Sequence, residues 1–241
     1  MIVIPMAGLS SRFFKAGYQQ PKYMLMAHGE TLFAHAVNSF KAYFDSETFL
    51  FIVRDLYETK AFVTEQAQQL GINQFEIVEL TQATRGQAET VTLGLEQVKH
   101  QNTPITIFNI DTFRPGFTFP TIQSQCDGYL EVFQGSGDNW SFAKPEQANS
   151  TKVVETAEKR PISDLCSTGL YYFANCQDYL DAYYHYANLP KEQWDQGELY
   201  IAPLYNYLIE QGRDIHYHLI QRDDVIFCGV PAEYDAFLSR D

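Results

Sequence analysis

The side chains best suited to chemistry in this chain are cations placed beside a turn of small residues. Arg12, Lys15 and Lys22 fall within one eleven-residue stretch, and that stretch follows directly on Ala7-Gly8-Leu9-Ser10-Ser11. Small residues let a polyanion approach backbone N–H groups, and nearby cations supply the countercharge, so this segment points to a nucleotide. The planar fork of Arg12 suits phosphate oxygens. Lys22 follows Pro21, which restrains the local backbone and so orients the ammonium beside the turn. Asp111 closes the apolar run Ile105–Ile110, where its carboxylate would emerge as a hard oxygen ligand for Mg²⁺. Each residue also has a plainer role: Gly and Ser favour ordinary turns, Asp caps them, and Arg and Lys stand on surfaces.

The elements that would carry these groups alternate between strand and helix. Ile2–Pro5, Thr48–Arg54, Phe75–Leu80 and Ile105–Asp111 are short apolar runs that predict strands. Between them, 31–44, 56–70 and 87–100 predict helices, the first from Leu32, Ala36, Val37, Phe40 and Phe44 at three-to-four spacing. Repeated βα units predict a mostly parallel sheet in a three-layer α/β sandwich of Rossmann-like type, with ligands at the carboxyl ends of its strands. The second half changes rhythm. Strands are expected at 129–134, 141–144, 153–156, 169–174, 214–221 and 225–230, and helices at 177–187, 198–211 and 232–239, forming a small mixed-sheet lobe. No linker-like run divides the chain, so residues 1–241 are read as one domain with a nucleotide half (1–125) and a second half (126–241).

Composition narrows the classes. At 241 residues and 45% apolar content the chain can bury a substantial core. A net charge of −13 argues against nucleic-acid binding, which needs a basic face. No apolar run approaches the roughly 18–20 residues that span a bilayer, and the first thirty lack a signal-peptide pattern, so no membrane insertion and a cytoplasmic location are expected. Cys126, Cys166, Cys176 and Cys228 are scattered and read as reduced thiols. His28, His35, His100, His185, His216 and His218 show no metal-binding spacing and read as structural. The tyrosine-rich stretch Tyr179–Tyr186 reads as packing or a subunit interface, which accommodates a homodimer.

Taken together, the motifs resemble those of the sugar-1-phosphate nucleotidylyltransferases. Gly8-Leu9-Ser10-Ser11-Arg12-Phe13 with Pro21-Lys22 is similar to that family's Gly-rich signature. Thr84-Arg85-Gly86-Gln87-Ala88-Glu89-Thr90 looks like its base-facing loop and helix start, and Asn109-Ile110-Asp111 like its metal-binding acid. Glu158-Lys159 with Ser167-Thr168-Gly169-Leu170-Tyr171-Tyr172-Phe173 resembles the strand pair that receives the acceptor, and Gly197-Glu198-Leu199-Tyr200-Ile201 a further acceptor motif. The resemblance spans nearly the whole chain, with the motifs in the family's order.

It implies transfer of NMP from an NTP to a phosphorylated acceptor, with pyrophosphate released and Mg²⁺ as cofactor. Arg12, Lys22 and Asp111 would be catalytic, with Asp111 the metal ligand. Ala7, Gly8, Leu9, Ser10, Ser11, Gln87 and Ala88 would bind the nucleotide, and Glu158, Lys159, Thr168, Gly169 and Glu198 the acceptor, Lys159 through its phosphate. The donor would be CTP, UTP or dTTP. A sugar 1-phosphate for surface polysaccharide precursors is the leading acceptor; a CTP-dependent enzyme for a phosphocholine- or phosphoglutamine-like phosphate is the alternative. The acceptor motifs depart from the family pattern. Arg160 precedes Pro161, Ala202-Pro203 replaces an expected acid, and Phe227 stands where a second metal-binding aspartate is usual, leaving Asp223, Asp224 or Asp111 alone. A nucleotide-sugar-dependent glycosyltransferase and a non-catalytic nucleotide-binding module are the other classes these residues accommodate.

Overall fold

The computed structural model describes residues 1–98 and 103–240. In chain order they form β1 (Ile2–Met6), α1 (Ser11–Lys15), β2 (Met26–Ala27), β3 (Glu30–Thr31), α2 (Leu32–Asn38), β4 (Phe49–Arg54), α3 (Thr59–Leu70), β5 (Phe75–Leu80), α4 (Gln87–Leu95), β6 (Ile105–Phe108) and β7 (Thr112–Phe113). There follow β8 (Gly128–Gln134), β9 (Ser141–Pro145), β10 (Val153–Glu158), β11 (Leu165–Phe173), α5 (Cys176–Ala187), α6 (Leu204–Glu210), β12 (Ile215–Ile220), β13 (Ile226–Phe227) and α7 (Pro231–Leu238). The architecture is the expected α/β one. The helix anticipated over 87–100 ends its described part at Leu95, and its last two residues, His100 among them, lie outside the described residues.

Contacts divide the chain into two compact units, each drawn from separate stretches of sequence. The Lys22 unit comprises Ile2–Ala83, Phe108–Thr118 and Asp223–Asp241. Its sheet is parallel, with β4 paired to both β1 and β5. Every residue of β1 is buried, as is Phe49–Val53 of β4, which is why both read as unbroken apolar runs. A two-stranded ribbon pairs β13 with β7, Phe227 opposite Thr112.

The Lys159 unit comprises Met1, Thr84–Ile107 and Phe119–Arg222. Its sheet is mixed: β11 pairs antiparallel with β8 and β9, β9 with β10, while β12 runs parallel to β8. All nine residues of β11 are buried. Its ladder with β8 breaks between Ser167 and Tyr171, where Gly169 takes φ +89, an irregularity of the kind that re-aims side chains near sites.

Several expected boundaries move. The 31–44 helix stops at Asn38 and resumes as a 3-10 turn over Lys41–Tyr43, because Phe40 leaves helical geometry at φ −100, ψ 21. The strand at 105–111 ends at Phe108, and Asp111 sits in the following turn. The 225–230 strand is only Ile226–Phe227. The helix expected over 198–211 begins at Leu204: Gly197 (φ +71) turns the chain, Glu198 is extended, and the backbone of Leu199 is engaged elsewhere.

Candidate active site

In the Lys22 unit, β1 delivers buried Ala7 to an open loop. Gly8 and Leu9 are exposed, and a Cβ built on Gly8 would meet nothing within 4 Å. Packing therefore does not require glycine there, and the open space is free for a ligand. Ser10 adopts the left-handed conformation (φ 50) and caps α1 with its carbonyl, which accepts from the amides of Phe13 (2.9 Å) and Phe14 (3.2 Å). Its hydroxyl accepts from the Lys22 amide at 3.1 Å, tying the small-residue turn to the lysine twelve positions on. The Lys22 ammonium hydrogen-bonds and ion-pairs with the Asp111 carboxylate, both groups being partly exposed. Ser10, Lys22 and Asp111 are thus assembled into one cluster. Arg12 and Ser11 are exposed on α1 beside it, and among the described residues the Arg12 guanidinium makes no ion pair, which leaves it open to an anion.

The turn holding Asp111 is fastened by β13 and the loop after it: the Cys228 amide donates to the Asp111 carbonyl at 2.8 Å. A Cβ on Gly229 would lie 3.1 Å from Asp111 Oδ2 and 3.5 Å from Glu233 Oε2, so a larger residue there would press on both carboxylates. Glu233 accepts from the Gly229 amide (2.8 Å) and the Val230 amide (3.2 Å), closing the first turn of α7. Neither residue stood out in the sequence, because they reach Asp111 only through the β7–β13 ribbon. Burial pushes the Cys228 thiol up to about 12, with Glu233 and Asp111 adding to the shift, so it stays protonated. Among the described residues no three His, Cys, Asp or Glu side chains are placed to share one metal ion. Asp111, a partly exposed carboxylate already holding one cation, nonetheless fits Mg²⁺, which takes one or two protein carboxylates and completes its shell with water and phosphate oxygens.

In the Lys159 unit, the Arg85–Ala88 turn is clamped onto the backbone of Leu199. The Leu199 amide donates to the Arg85 carbonyl (3.0 Å) and the Ala88 amide to the Leu199 carbonyl (2.9 Å). A Cβ on Gly86 would fall 2.4 Å from the Leu199 carbonyl oxygen, so only glycine permits this approach. Gln87, half-buried, and Ala88, fully buried, open α4 from this clamp. The tyrosine-rich α5 supports it from below. The Tyr179 hydroxyl donates to the Ala88 carbonyl at 2.7 Å, and the Tyr183 hydroxyl to Glu89 at 3.3 Å while accepting from Arg85 at 3.2 Å. Tyr179 and Tyr183 thus pack within the unit, one of the two roles expected for this stretch.

Lys159 stands at φ +53, its amide donating to the Trp140 carbonyl at 2.8 Å. Its ammonium donates to the Tyr200 hydroxyl at 2.6 Å. The ring centroid is 4.7 Å away, so the cation lies at the hydroxyl and not over the ring face. Glu158 points inward: 7% exposed, it accepts from the Ser141 hydroxyl, which also bonds Tyr171 at 3.0 Å. Burial raises the Glu158 carboxyl above the usual range, partly offset by Ser141 and Lys159. Its amide donates to Asp195 at 2.8 Å. Thr168 is fully buried and donates to Glu131 Oε1 at 3.0 Å, next to Gly169 at the ladder irregularity. Glu198 is exposed and extended, its amide donating to the Asp195 carbonyl at 3.2 Å.

Fold and clusters together define a protein of the nucleotidyltransferase type. Over 100% of both chains, this one is 68% identical to the nucleoside-diphosphate-sugar pyrophosphorylase from Vibrio cholerae RC9, whose crystal structure superposes with a TM-score of 0.97. The chain belongs to the family of nucleoside-diphosphate-sugar pyrophosphorylases, enzymes of the sugar-1-phosphate nucleotidyltransferase group. The fold is shared more widely. The inositol-1-phosphate CTP transferase from T. maritima is 15% identical over 98% of this chain and 92% of its own, with a TM-score of 0.73. UTP-bound UGPase from Acinetobacter baumannii is 14% identical over 98% and 91%, with a TM-score of 0.70. No family model matches the chain, and no curated protein does. Among the described residues no helix is long and apolar enough to cross a membrane.

Proposed function

We propose that the protein transfers NMP from an NTP to a phosphorylated small molecule and releases pyrophosphate. The observation that carries this reading is the Lys22–Asp111 pair, fastened through Ser10 to the open Gly8–Arg12 turn, in a chain of this family. The turn and Arg12 hold the β- and γ-phosphates, and Lys22 neutralises charge that builds on the α-phosphoryl oxygens. Asp111 would hold Mg²⁺, which supplies a hard positive charge to the triphosphate when bound. Gln87, on the clamped start of α4, faces the base, and buried Ala88 fixes the turn behind it. Lys159 holds the acceptor phosphate, with Glu158, Thr168, Gly169 and Glu198 shaping its surroundings. One acceptor oxygen forms the new P–O bond as the bond to the leaving pyrophosphate breaks. No general base is needed, because a phosphate monoester is already an anion, and positioning with electrostatics supplies the rate.

A sugar 1-phosphate, activated by UTP, dTTP or CTP for surface glycan precursors, is the first acceptor to test. A second reading is supported by the charges around Lys159. Glu158, Asp195 and Glu198 all act on the same group of side chains, so carboxylates outnumber the single ammonium. Such surroundings suit an acceptor with an amine or ammonium elsewhere in the molecule, as in a phosphocholine- or phosphoglutamine-like phosphate used with CTP.

The test is pyrophosphate release from each NTP, with Mg²⁺, against sugar 1-phosphates, phosphocholine and amino-acid-derived phosphates. Release with one pair, lost in Lys22→Ala and Asp111→Ala, is the expected result. NTP binding with no release from any pair would overturn the reading in favour of a non-catalytic module. Free nucleoside diphosphate from a nucleotide sugar would make the protein a glycosyltransferase.

A further inference from the structure

We infer that Tyr200 is a further acceptor-binding residue, acting with Lys159 as a single phosphate-binding unit. This rests on the reading of Lys159 as the acceptor's phosphate anchor. A lysine side chain has several rotatable bonds, and an unrestrained ammonium loses much of that freedom when it binds. Here the cost is reduced in advance. The Lys159 ammonium already donates to the Tyr200 hydroxyl at 2.6 Å, and its backbone is set by the bond to Trp140.

Tyr200 can bear this role because its own position is rigid. Its neighbour Leu199 is bonded through its amide to the Arg85 carbonyl and through its carbonyl to the Ala88 amide, and Gly86 leaves no slack in that contact. The partner is also neutral. Burial raises the phenol above its ordinary value, Glu198 and Glu158 add to this, and the Lys159 interaction lowers it, the net direction being upward. The phenol therefore keeps its proton, so the group bonded directly to the ammonium adds no charge of its own. The hydroxyl accepts from Lys159 and makes no other hydrogen bond among the described residues, so its own proton is available to an anion bound at the ammonium. The pair offers two donors side by side to one phosphate.

The test is steady-state kinetics with the NTP and acceptor identified by pyrophosphate release, on wild type, Tyr200→Phe, Lys159→Met and the double variant. Tyr200→Phe should raise the acceptor KM about tenfold, as expected for loss of a hydrogen bond to a charged group, and leave the NTP KM within about twofold. The double variant should lose less than the product of the two single losses, because residues acting as a unit are not additive. Thermal melting of Tyr200→Phe should match wild type. An unchanged acceptor KM, an equal rise in both KM values, or additive losses would overturn the inference while wild-type turnover leaves the proposed function standing. A wild type that turns over no pair would overturn that function, and the inference with it.

Discussion

The two units hold their key lysines by opposite means. Lys22 rests on a carboxylate, Asp111, whereas Lys159 rests on a phenol, Tyr200. An ion pair cancels both charges until something replaces one partner, and a triphosphate with a divalent cation can satisfy both halves at once. A neutral partner orders the cation without cancelling it. The scaffolds differ in the same direction. Around Lys22 the loop is open, and a Cβ at Gly8 would be unopposed; around Lys159 the clamp is shut, and a Cβ at Gly86 would strike backbone. One region is built to exchange partners and the other to be shaped beforehand.

That contrast can be broken at its strongest point first. Lys22→Ala should lower pyrophosphate release by about 10²–10³, the usual range for losing one charge-stabilising donor, with the NTP still bound as judged by titration calorimetry. Gly86→Ala should cost about 2–4 kcal/mol in urea unfolding, because the clash is with the Leu199 backbone and cannot be relieved by a side-chain rotation. A Gly86→Ala protein as stable as wild type would show that the clamp yields. Gly8→Ala sharpens the comparison from the other side. Its stability should stay within about 0.5 kcal/mol of wild type, while the NTP KM rises, since only a ligand can object to the new methyl group. Equal loss of stability at Gly8 and Gly86 would erase the distinction between the regions.

The smallest effect concerns Glu158, whose carboxyl is held above its ordinary value mainly by burial. The folded state binds that proton more tightly than the unfolded chain. Its stabilising contribution is therefore complete below the unfolded value and is lost as pH rises through the folded one. Glu158→Gln should remove this component, so wild type should lose stability relative to the variant as pH rises above the ordinary carboxylate range. Parallel stability curves for the two proteins would show that the carboxyl is not held up.

The sequence shows the Lys22 region better than the Lys159 region, for a physical reason. The Gly8–Ser11 turn, Arg12 and Lys22 are close in the chain, so strand periodicity, turn chemistry and a proline suffice to bring them together. Asp111 was legible as an acid following an apolar run, although the strand stops at Phe108 and the acid occupies a turn. The helix expected over 198–211 would make Glu198 its first residue. Instead Gly197 turns the chain, and the backbone of Leu199 bonds to residues more than a hundred positions away, so local propensity lost to a distant contact. The tyrosines of α5 read as packing or a subunit interface from their abundance, but the sequence does not say what they meet.

What the sequence determined by itself was the α/β layout, the phosphate-seeking turn and the family's ordered motifs, because these follow from periodicity and short-range geometry. The tertiary structure decided which partner each lysine meets, which glycines are obligatory and which carboxylates turn inward. Those outcomes depend on chain segments that are remote in sequence and meet only when the sheets and ribbons pair.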